Sequence, residues 1–421
     1  MNEVGGIDGA WIEGALLAAR PRAVGALLRY FRDLDLAEEA FQDACLRALT
    51  AWPKNGPPRD PAAWLILVGR NAALDGVRRR ARQAPLPEDD RLSDLEDAET
   101  PLAERLDDSH YRDDVLRLLF ICCHPALPKT QQVALALRIV AGLTVAQIAR
   151  AFLVTDTAME QRITRAKAKI GKAEVPFASP DAHERAERLS AVSAMIYLVF
   201  NEGYSAGDGD YRQRLCGDAI RLGRLLLRLF PTEAEIMGLV ALMLLQHSRL
   251  AARFDGAGEI VLLDDQDRGR WDGKLIAEGL ALIEKALRHR QPGPYQLQAA
   301  IAALHARATR QEETDWVQID LLYAVLERVQ PSPVVTLNRA VAVSRARGPG
   351  PALAMVEPLA ATLSGYFHFH GLRGALLWQL GQRDAARIAF DKAIALAQST
   401  AEAAHIRRNL DRLLAGAEAP R

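Results

Sequence analysis

Hydrophobic residues return every three or four positions along most of the chain, and this spacing places them on one face of an α-helix. The pattern predicts helices over about 11–20, 22–31, 36–51, 62–82, 111–123, 145–152, 156–170, 185–201, 212–229, 232–253, 271–288, 295–307, 316–329, 333–347, 351–363, 366–380, 383–397 and 400–415. No stretch has a convincing strand pattern. The sequence therefore predicts an all-α fold.

Two short patterns, 145–152 and 156–170, are separated by a turn. Thr144 and Thr155 stand where the two helices begin, and a Thr hydroxyl there can accept a hydrogen bond from a free backbone N–H. The apolar faces consist of Ile148, Ala149 and Phe152 in the first helix and of Met159, Ile163 and Ala166 in the second. This arrangement predicts a helix-turn-helix.

The second helix of this pair carries polar and basic residues on its outer face: Thr157, Gln161, Arg162, Arg165, Lys167, Lys169 and Lys172. Polar groups early in a helix and cations late in it suit entry into the DNA major groove, with phosphates bound at the end. The alternative is an ordinary helical pair with a solvated basic face.

Length and charge add local detail to this picture. A chain of 421 residues indicates two to four domains. Lys plus Arg equals Asp plus Glu, at 53 each, but the charges are segregated: 78–82 and 162–172 are basic, whereas 88–114 is acidic. Local fields, and not net charge, therefore govern any contact with nucleic acid.

The chain lacks the usual signals of membrane insertion and secretion. No apolar run approaches the ~20 residues that a membrane span needs, and the first residues have neither the charged start nor the apolar core of a signal peptide. Four cysteines in this length form no disulfide framework. We expect a cytoplasmic protein with no membrane partner.

Cys122, Cys123 and His124 are adjacent and form a candidate metal site. Tetrahedral zinc usually takes ligand pairs separated by two to four residues, and no second pair is evident. A buried helix end is the favoured interpretation. We find no Gly-rich phosphate loop and no Ser/His/Asp arrangement, so the sequence predicts no catalytic residue, no cofactor and no metal.

The first 84 residues contain an acidic helix face followed by a break. In 36–51, one face is apolar and the other carries Glu38, Glu39, Gln42 and Asp43, which we expect to face outward. Prolines and a glycine interrupt the helix at 52–64, and the next helix has a stripe that includes Trp64, Leu65 and Val68. Its other face carries Arg70, Asn71, Asp75, Arg78, Arg79 and Arg80.

Five features follow one another along the chain: an acidic-faced helix, a proline-rich loop, a WL…RN…LD…RRR helix, an acidic connector and a helix-turn-helix. In this order they resemble a bacterial extracytoplasmic-function (ECF) RNA polymerase sigma factor of the sigma-70 family. The resemblance implies sigma region 2 at 8–84, an acidic linker at 85–110 and region 4 at 111–174. Its partners would be core RNA polymerase, through the β′ clamp helices and the β flap, and promoter DNA.

The resemblance also implies roles for individual residues. It assigns Glu38, Glu39, Gln42 and Asp43 to polymerase docking. It assigns to the −10 element Lys54, Asn55, Arg70, Asn71, Asp75, Arg78, Arg79 and Arg80. It assigns to the −35 element Thr155, Thr157, Glu160, Gln161, Arg162, Arg165, Lys167 and Lys169. Ala158 and Met159 depart from the commoner family run, which has Thr-Val there. Trp52 and Trp64 are interpreted as packing residues, with base stacking as the alternative.

The C-terminal half, 180–421, is an addition to a minimal sigma factor. From about 290 it shows self-similarity at roughly the 34-residue spacing of tetratricopeptide repeats. Two polar groups stand out in this half: Asn201 with Glu202, and the run Asp264, Asp265, Asp267, Arg268 and Arg270. They could line a pocket or a metal site, but the favoured interpretation is that they form salt bridges and helix caps. The whole arrangement resembles an ECF subgroup with a fused tetratricopeptide-like domain. That resemblance implies regulation through an intramolecular contact with the sigma core.

Two other functions stay open at this point. A conventional helix-turn-helix regulator would bind duplex DNA without core polymerase, and would need neither the acidic helix face nor the proline-rich loop. An enzyme would have to use the C-terminal carboxylates.

Overall fold

The computed structural model describes residues 9–82, 108–124, 126–152, 154–172, 182–205, 210–255, 261–397, 400–415 and 417. Within these ranges the regular elements are helices, and no β-strand occurs. The prediction of an all-α fold is confirmed. The chain divides into two compact units, which are Met1–Gly203 with Tyr211–Leu222, and Tyr204–Asp210 with Gly223–Arg421.

The first unit contains the predicted sigma regions and the helices that follow them. Its helices are α1 (Gly9–Phe31), α2 (Leu34–Asn55), α3 (Pro61–Arg82), α4 (Asp108–Cys122), α5 (Lys129–Ala136), α6 (Val145–Ala151), α7 (Asp156–Lys172), α8 (Ala182–Ser205) and the first part of α9 (Asp210–Leu229). A π-helical turn, Leu137–Ala141, extends α5. The acidic connector at 85–110 lies almost wholly outside the described residues.

Helix α1 corrects the prediction of two separate helices at 11–20 and 22–31. It is one helix that contains Pro21. A proline inside a helix removes one backbone hydrogen bond. The helix continues because residues on both sides of the proline, including Ala19, Ala23 and Val24, are buried against α2, α3 and α4. Tertiary packing therefore overrides the local preference for a break.

Helices α1, α2 and α3 pack around three tryptophans. The ring centroids of Trp11 and Trp52 lie 5.9 Å apart, and those of Trp52 and Trp64 lie 5.4 Å apart, both edge to face. Trp52 and Trp64 are buried, which confirms that they pack between helices. At Gly69, an added Cβ would lie 2.7 Å from the Ala40 carbonyl oxygen, so only glycine permits this approach of α3 to α2.

The proline-rich break is shorter than predicted. Helix α2 continues through Pro53 to Asn55 and ends at Gly56, which has a φ of 91°. The Asp60 carboxylate then caps α3 by accepting hydrogen bonds from the backbone N–H groups of Ala62 and Ala63, at 2.8 and 3.2 Å.

The predicted helix-turn-helix is present as α6 and α7. Thr144 Oγ1 accepts from the Gln147 N–H at 3.1 Å, while Gln147 Oε1 accepts from the Thr144 N–H at 2.8 Å, which is a reciprocal capping pair. Thr155 Oγ1 accepts from the Ala158 N–H at 3.2 Å. Ile148, Met159 and other predicted inward residues are buried, and Phe152 is half-buried.

The second unit is a succession of helices packed on their chain neighbours. They are the rest of α9, α10 (Ala234–His247), α11 (Gly273–Leu287), α12 (Pro294–Arg307), α13 (Trp316–Val329), α14 (Pro333–Arg347), α15 (Pro349–Val356), α16 (Phe367–Gln379), α17 (Arg383–Leu396) and α18 (Thr400–Leu414). Helices α10 and α15 end earlier than the patterns at 232–253 and 351–363 predicted, and short 3₁₀ turns, Leu250–Ala252 and Glu357–Leu359, follow them.

The pair α16 and α17 has the predicted tetratricopeptide-like form. Gly381, with a φ of 76°, makes the turn between the two helices. Ala386, Ala389, Phe390 and Ala393 are buried in a shared core with Leu377, Trp378 and α18. Helices α14, α15 and α16 share a second core. Each pair thus covers the apolar face of the next, as in a helical repeat protein.

The run at 258–271 supplies caps and ion pairs in its described part, as the favoured interpretation predicted. Asp267 caps a 3₁₀ turn through the Gly269 N–H at 2.9 Å. The Asp264 carboxylate pairs with Arg345. Arg268 donates to the backbone oxygens of His305 and Ala308 and lies over the Trp271 ring. Among the described residues, no group of His, Cys, Asp and Glu is placed to hold a metal ion.

None of the helices in the described parts of the chain combines the length and the apolar character that crossing a bilayer requires.

Candidate nucleic-acid and polymerase-binding surfaces

One exposed face of α2 carries three of the four residues predicted to dock on polymerase. Glu39, Gln42 and Asp43 are exposed. The same face continues into two apolar residues that the sequence interpretation missed, Leu46 and Leu49, which are 65% and 54% exposed. Their spacing from Gln42 follows the helix repeat and was the available signal. Acidic and apolar groups together form a surface suited to a protein partner.

Glu38 does not lie on this face, and the prediction that it faces outward is wrong. It is 5% exposed. Its Oε1 atom lies 3.2 Å from Arg20 Nη2 and 3.0 Å from Arg138 Nε, and its Oε2 atom lies 2.9 Å from Lys167 Nζ. A buried carboxylate is unfavourable unless it is paired and hydrogen-bonded, and three cations supply the partners here.

The residues predicted to contact the −10 element occupy two helix segments. Lys54 and Asn55 are exposed at the end of α2, and Arg70 and Asn71 are half-buried in the middle of α3. The Arg70 guanidinium lies 5.8 Å from the centre of the Tyr30 ring, and Tyr30 is itself exposed. The backbone of α3 extends through Arg82, and the side chains of Asp75, Arg78, Arg79 and Arg80 lie outside the described set.

Most of the residues predicted to read the −35 element are accessible on α7 and at its start. Arg162 is half-buried. The exposed members are Thr155, Thr157, Glu160, Gln161, Arg165 and Lys169. The Thr155 hydroxyl is already engaged as the helix cap. The outward face of α7 therefore presents polar groups early and cations late, as a major-groove helix does.

Lys167 is the exception, and the prediction that it points to solvent is wrong. Its side chain is 17% exposed, and Nζ lies 2.6 Å from Asp35 Oδ1 and 2.9 Å from Glu38 Oε2. Partial burial by itself lowers the pKa of Lys167, but hydrogen bonds to Asp35 and Glu38 outweigh it and raise the pKa overall. The lysine is thus held as a cation against α2.

Arg20 completes this charged cluster from α1. Its Nε donates to the Ile139 carbonyl oxygen at 2.9 Å, and its Nη2 donates to the Arg138 carbonyl oxygen at 3.1 Å and to Glu38. Burial lowers the pKa of Arg20, and the Glu38 carboxylate opposes that effect. Both accepting carbonyls belong to the π-helical turn, where backbone oxygens need partners from outside the helix.

The Cys122, Cys123 and His124 run is consistent with a buried helix end. Burial raises the pKa of the Cys123 thiol to about 12 and raises that of Cys122 well above its usual value. His124 Nδ1 accepts a hydrogen bond from the Ala126 N–H at 3.2 Å. These groups act in packing and in turning the chain towards α5.

Helices α8 and α9 contact region 4 within the first unit. Arg221 Nη2 donates to the Ala141 carbonyl oxygen at 2.9 Å, and the Arg188 guanidinium lies 5.4 Å from the centre of the Phe120 ring. Val192, Ile196 and Val199 form a buried stripe on α8. Residues beyond the predicted joint near 180 therefore contact α4 and the π-helical turn of region 4.

Comparisons with known proteins agree with these features. The family model described as Sigma-70 region 2 matches residues 16–83, that of Sigma-70, region 4 matches residues 117–170, and that of a family of unknown function, DUF6596, matches residues 188–287. An uncharacterized protein of Rhizobium meliloti (strain 1021), R00370, is 68% identical over 410 residues, with 97% of both chains covered.

Among solved structures, yeast Tom70 is 14% identical, with a TM-score of 0.36 over 96% of this chain and 85% of that chain. This similarity is below the level that indicates a shared fold.

Proposed function

We propose that this chain, which belongs to the sigma-70 family as a sigma factor of the extracytoplasmic-function type with a large helical addition, binds core RNA polymerase and directs it to promoters in the cytoplasm. The observation that carries the proposal is the presence in one unit of an exposed acidic face on α2 and a capped helix-turn-helix, on segments that match sigma regions 2 and 4. Proteins of this family are not enzymes, because the polymerase supplies the catalytic site.

Polymerase docking is assigned to the exposed face of α2. Glu39 and Asp43 provide negative charge for a basic partner helix, and Gln42 provides a hydrogen-bonding group between them. Leu46 and Leu49 extend the surface with apolar area that gains free energy when a partner excludes water from it. The β′ clamp helices are the proposed partner, with the β flap as the partner of region 4.

Promoter contact is divided between the two regions. Region 2 would stabilise a base that has left the −10 duplex, a process that requires unstacking. The loop 56–60 joins α2 to α3 directly after Asn55 and offers a place for such a base. Region 4 would insert α7 into the major groove of the −35 duplex, with Gln161 and Arg165 towards base edges and Lys169 towards phosphate.

Control of sigma activity is assigned to the second unit. A domain on the same chain has a high local concentration, so even a weak contact with the sigma core can favour one state. Support comes from the contacts of Arg188 with α4 and of Arg221 with the π-helical turn, because they couple the segment that leads into the second unit to region 4.

Reversing the acidic face tests polymerase docking. We expect the double substitution Glu39→Lys and Asp43→Lys to abolish binding to core polymerase, since both charges would then repel a basic partner. Both side chains are exposed, so the melting temperature should change little. Glu13→Lys, on an exposed position of α1, is the matched control and should bind normally. Binding is measured by gel filtration with core enzyme and by transcription in vitro.

Normal holoenzyme assembly by the double variant refutes the docking assignment. If the wild-type chain binds duplex DNA but never binds core enzyme, the chain is a conventional helix-turn-helix regulator.

A further inference from the structure

Alternate helices of the second unit adjoin one another along one side. Ile301 of α12 and Ala342 of α14 share a core, and α14 contacts α16. At Gly371 of α16, an added Cβ would lie 3.2 Å from Ile406 Cδ1 of α18. Stacked helix pairs create an extended surface that repeat proteins use for binding. We call the side formed by α12, α14, α16 and α18 the inner face.

The loop 261–270 lies on the inner face. Its Asp264 carboxylate pairs with Arg345 of α14. Its Arg268 guanidinium donates to the carbonyl oxygens of His305 and Ala308, at the end of α12, at 2.6 and 2.7 Å. The loop therefore bridges two helices that are not neighbours in the chain.

Asp265 extends this contact towards α18. Burial and the positive charge of Arg408 lower the pKa of His405 on this helix, and the Asp265 carboxylate opposes them. Such an effect requires the carboxylate to lie near the imidazole, because the interaction weakens with distance. The two adjacent aspartates of the loop thus meet basic side chains of α14 and α18.

Arg345 is oriented to receive a carboxylate. Its guanidinium lies 5.6 Å from the centre of the Trp316 ring, and stacking on an aromatic ring limits the positions of this long side chain. The Arg345 and Asp264 side chains are 28% and 26% exposed. A second carboxylate can therefore reach the guanidinium from solvent.

The loop is attached to the inner face by polar groups. None of the apolar side chains at 261–263 is buried, and Leu262 is 42% exposed. Gln266 Nε2 donates to the Val261 carbonyl oxygen at 3.1 Å, a hydrogen bond within the loop itself. Exposed ion pairs contribute little to stability one by one. A competing acidic chain can therefore replace Asp264 and Asp265 without uncovering a hydrophobic core.

We propose that the inner face is a peptide-binding surface covered in cis by Asp264 and Asp265, and that its partner is an extended acidic segment of another protein with adjacent carboxylates. The partner's carboxylates would take the places of the two aspartates at Arg345 and His405, while Arg268 stays bound at the end of α12. Charge complementarity carries this choice, because the face already holds an acidic segment. The inference concerns the second unit alone and does not depend on the proposed sigma function.

The loop competes with any such partner because it belongs to the same chain. A tethered segment acts at an effective concentration on the order of 1 mM, so a partner that makes only the same contacts binds weakly. Weakening the loop should therefore strengthen the binding of an acidic peptide from solution. A loop with only a structural role would not have this effect.

The competition is tested with the full-length chain and a fluorescent peptide, VLLDDQD, which has the sequence of 261–267. We expect Asp264→Asn with Asp265→Asn to bind this peptide about threefold to tenfold more tightly than wild type, since the loop loses two charge contacts. Asp391→Asn, at an exposed position of α17, is the control and should bind as wild type does. The neutral peptide VLLNNQN should bind to none of these proteins. Fluorescence polarisation measures the affinities.

The place of binding is tested on Arg345. Arg345→Gln, added to the double variant, should remove the gain in affinity, whereas Arg387→Gln, exposed on α17, should keep it. In wild type, a saturating amount of VLLDDQD should speed up hydrogen exchange of the backbone amides at 262–267, because the displaced loop is less protected.

Equal affinity of VLLDDQD for wild type and the double variant, in proteins that are folded by circular dichroism, refutes the inference. Equal binding of the neutral peptide refutes it as well, and so does an affinity that Arg345→Gln leaves unchanged. If the double variant does not fold, the exchange experiment on wild type decides, and unchanged exchange at 262–267 overturns the proposal. A double variant that dimerises in sedimentation and binds no peptide shows that a second copy occupies the face.

Discussion

At the scale of single residues, Glu38 is the centre of the charged cluster in the first unit. One buried carboxylate is shared by Arg20 and Arg138 and by Lys167, while its neighbour Glu39 is free to face solvent. Removing one partner of a buried pair usually destabilises by about 3–5 kcal/mol, because a charge is left without compensation. Glu38 therefore belongs to the packing of the first unit, and the accessible charge of the proposed docking face is carried by Glu39 and Asp43.

Arg165 provides the test of direct base reading. We expect Arg165→Ala to weaken holoenzyme binding to the −35 duplex by about 1–3 kcal/mol if the guanidinium contacts a base, and to relax the base preference at one position. Arg162→Ala should weaken binding by less if Arg162 contacts only phosphate. In that case the slope of log K against log salt concentration should fall by about one.

The measurement is a fluorescence titration of holoenzyme at several salt concentrations, with a promoter selected from random sequence. Lys129→Ala, exposed on region 4 but outside α7, is the control. Unchanged affinity and salt dependence in both arginine variants contradict the placement of α7 in the groove.

Element boundaries were predictable where local chemistry sets them. Helices α13 and α14 begin and end where the patterns at 316–329 and 333–347 place them. Asp315 caps the first through the Gln318 N–H at 2.9 Å, and Ser332 caps the second through the Val334 N–H at 3.3 Å. Such caps involve neighbours in sequence, so the sequence alone reveals them.

Elements whose state depends on distant residues were not predictable in this way. Helix α1 continues through Pro21 because other helices bury it, and Lys167 turns inward because Asp35 and Glu38 of α2 bind its amine. The periodicity of α7 correctly placed Arg165 and Lys169 outside, but it carries no information on which helix covers Lys167. The outward acidic face of α2 was predicted for Glu39 and Asp43, and only the long-range partners of Glu38 show that it belongs elsewhere.

Helix α12 provides a pH test of the second unit. Burial, together with the positive charges of Arg249 and Arg268, lowers the pKa of His305 to about 4. Between that value and the unfolded value of about 6.5, the unfolded chain binds a proton that the folded chain does not bind. Stability is therefore expected to fall as the pH drops from 6.5, by about 2 kcal/mol at pH 5 from this histidine.

Urea unfolding of the full chain at pH 7 and pH 5 measures the effect. His305→Gln should reduce the difference between the two free energies of unfolding, whereas His289→Gln, at an exposed position, should leave it as in wild type. Equal pH dependence in all three proteins contradicts a neutral, half-buried His305.

The whole molecule combines a first unit that contains the sigma regions with a helical second unit of similar length. Because α8 and the first part of α9 belong to the first unit, the structural division of the chain falls later than the end of region 4. A chain that ends at residue 230 keeps these helices and lacks most of the second unit.

This shortened chain tests the regulatory role of the second unit. We expect its transcription from a selected promoter, with core polymerase in vitro, to differ from that of the full chain by about threefold or more, which corresponds to a coupling free energy of roughly 0.7 kcal/mol. The direction of the change shows whether the second unit activates or inhibits. Equal output from equal amounts of folded protein removes the regulatory role.

The buried thiols of α4 have a consequence for redox chemistry. Cys122 and Cys123 lie at the end of a helix packed on α1, and burial raises the pKa of Cys123 to about 12 and that of Cys122 well above its usual value. Oxidants and alkylating reagents attack the thiolate and not the neutral thiol. At neutral pH these two sulfurs therefore stay in the unreactive thiol form for as long as α4 stays packed. Peroxide in the surrounding medium then finds almost no thiolate to oxidise at this helix end.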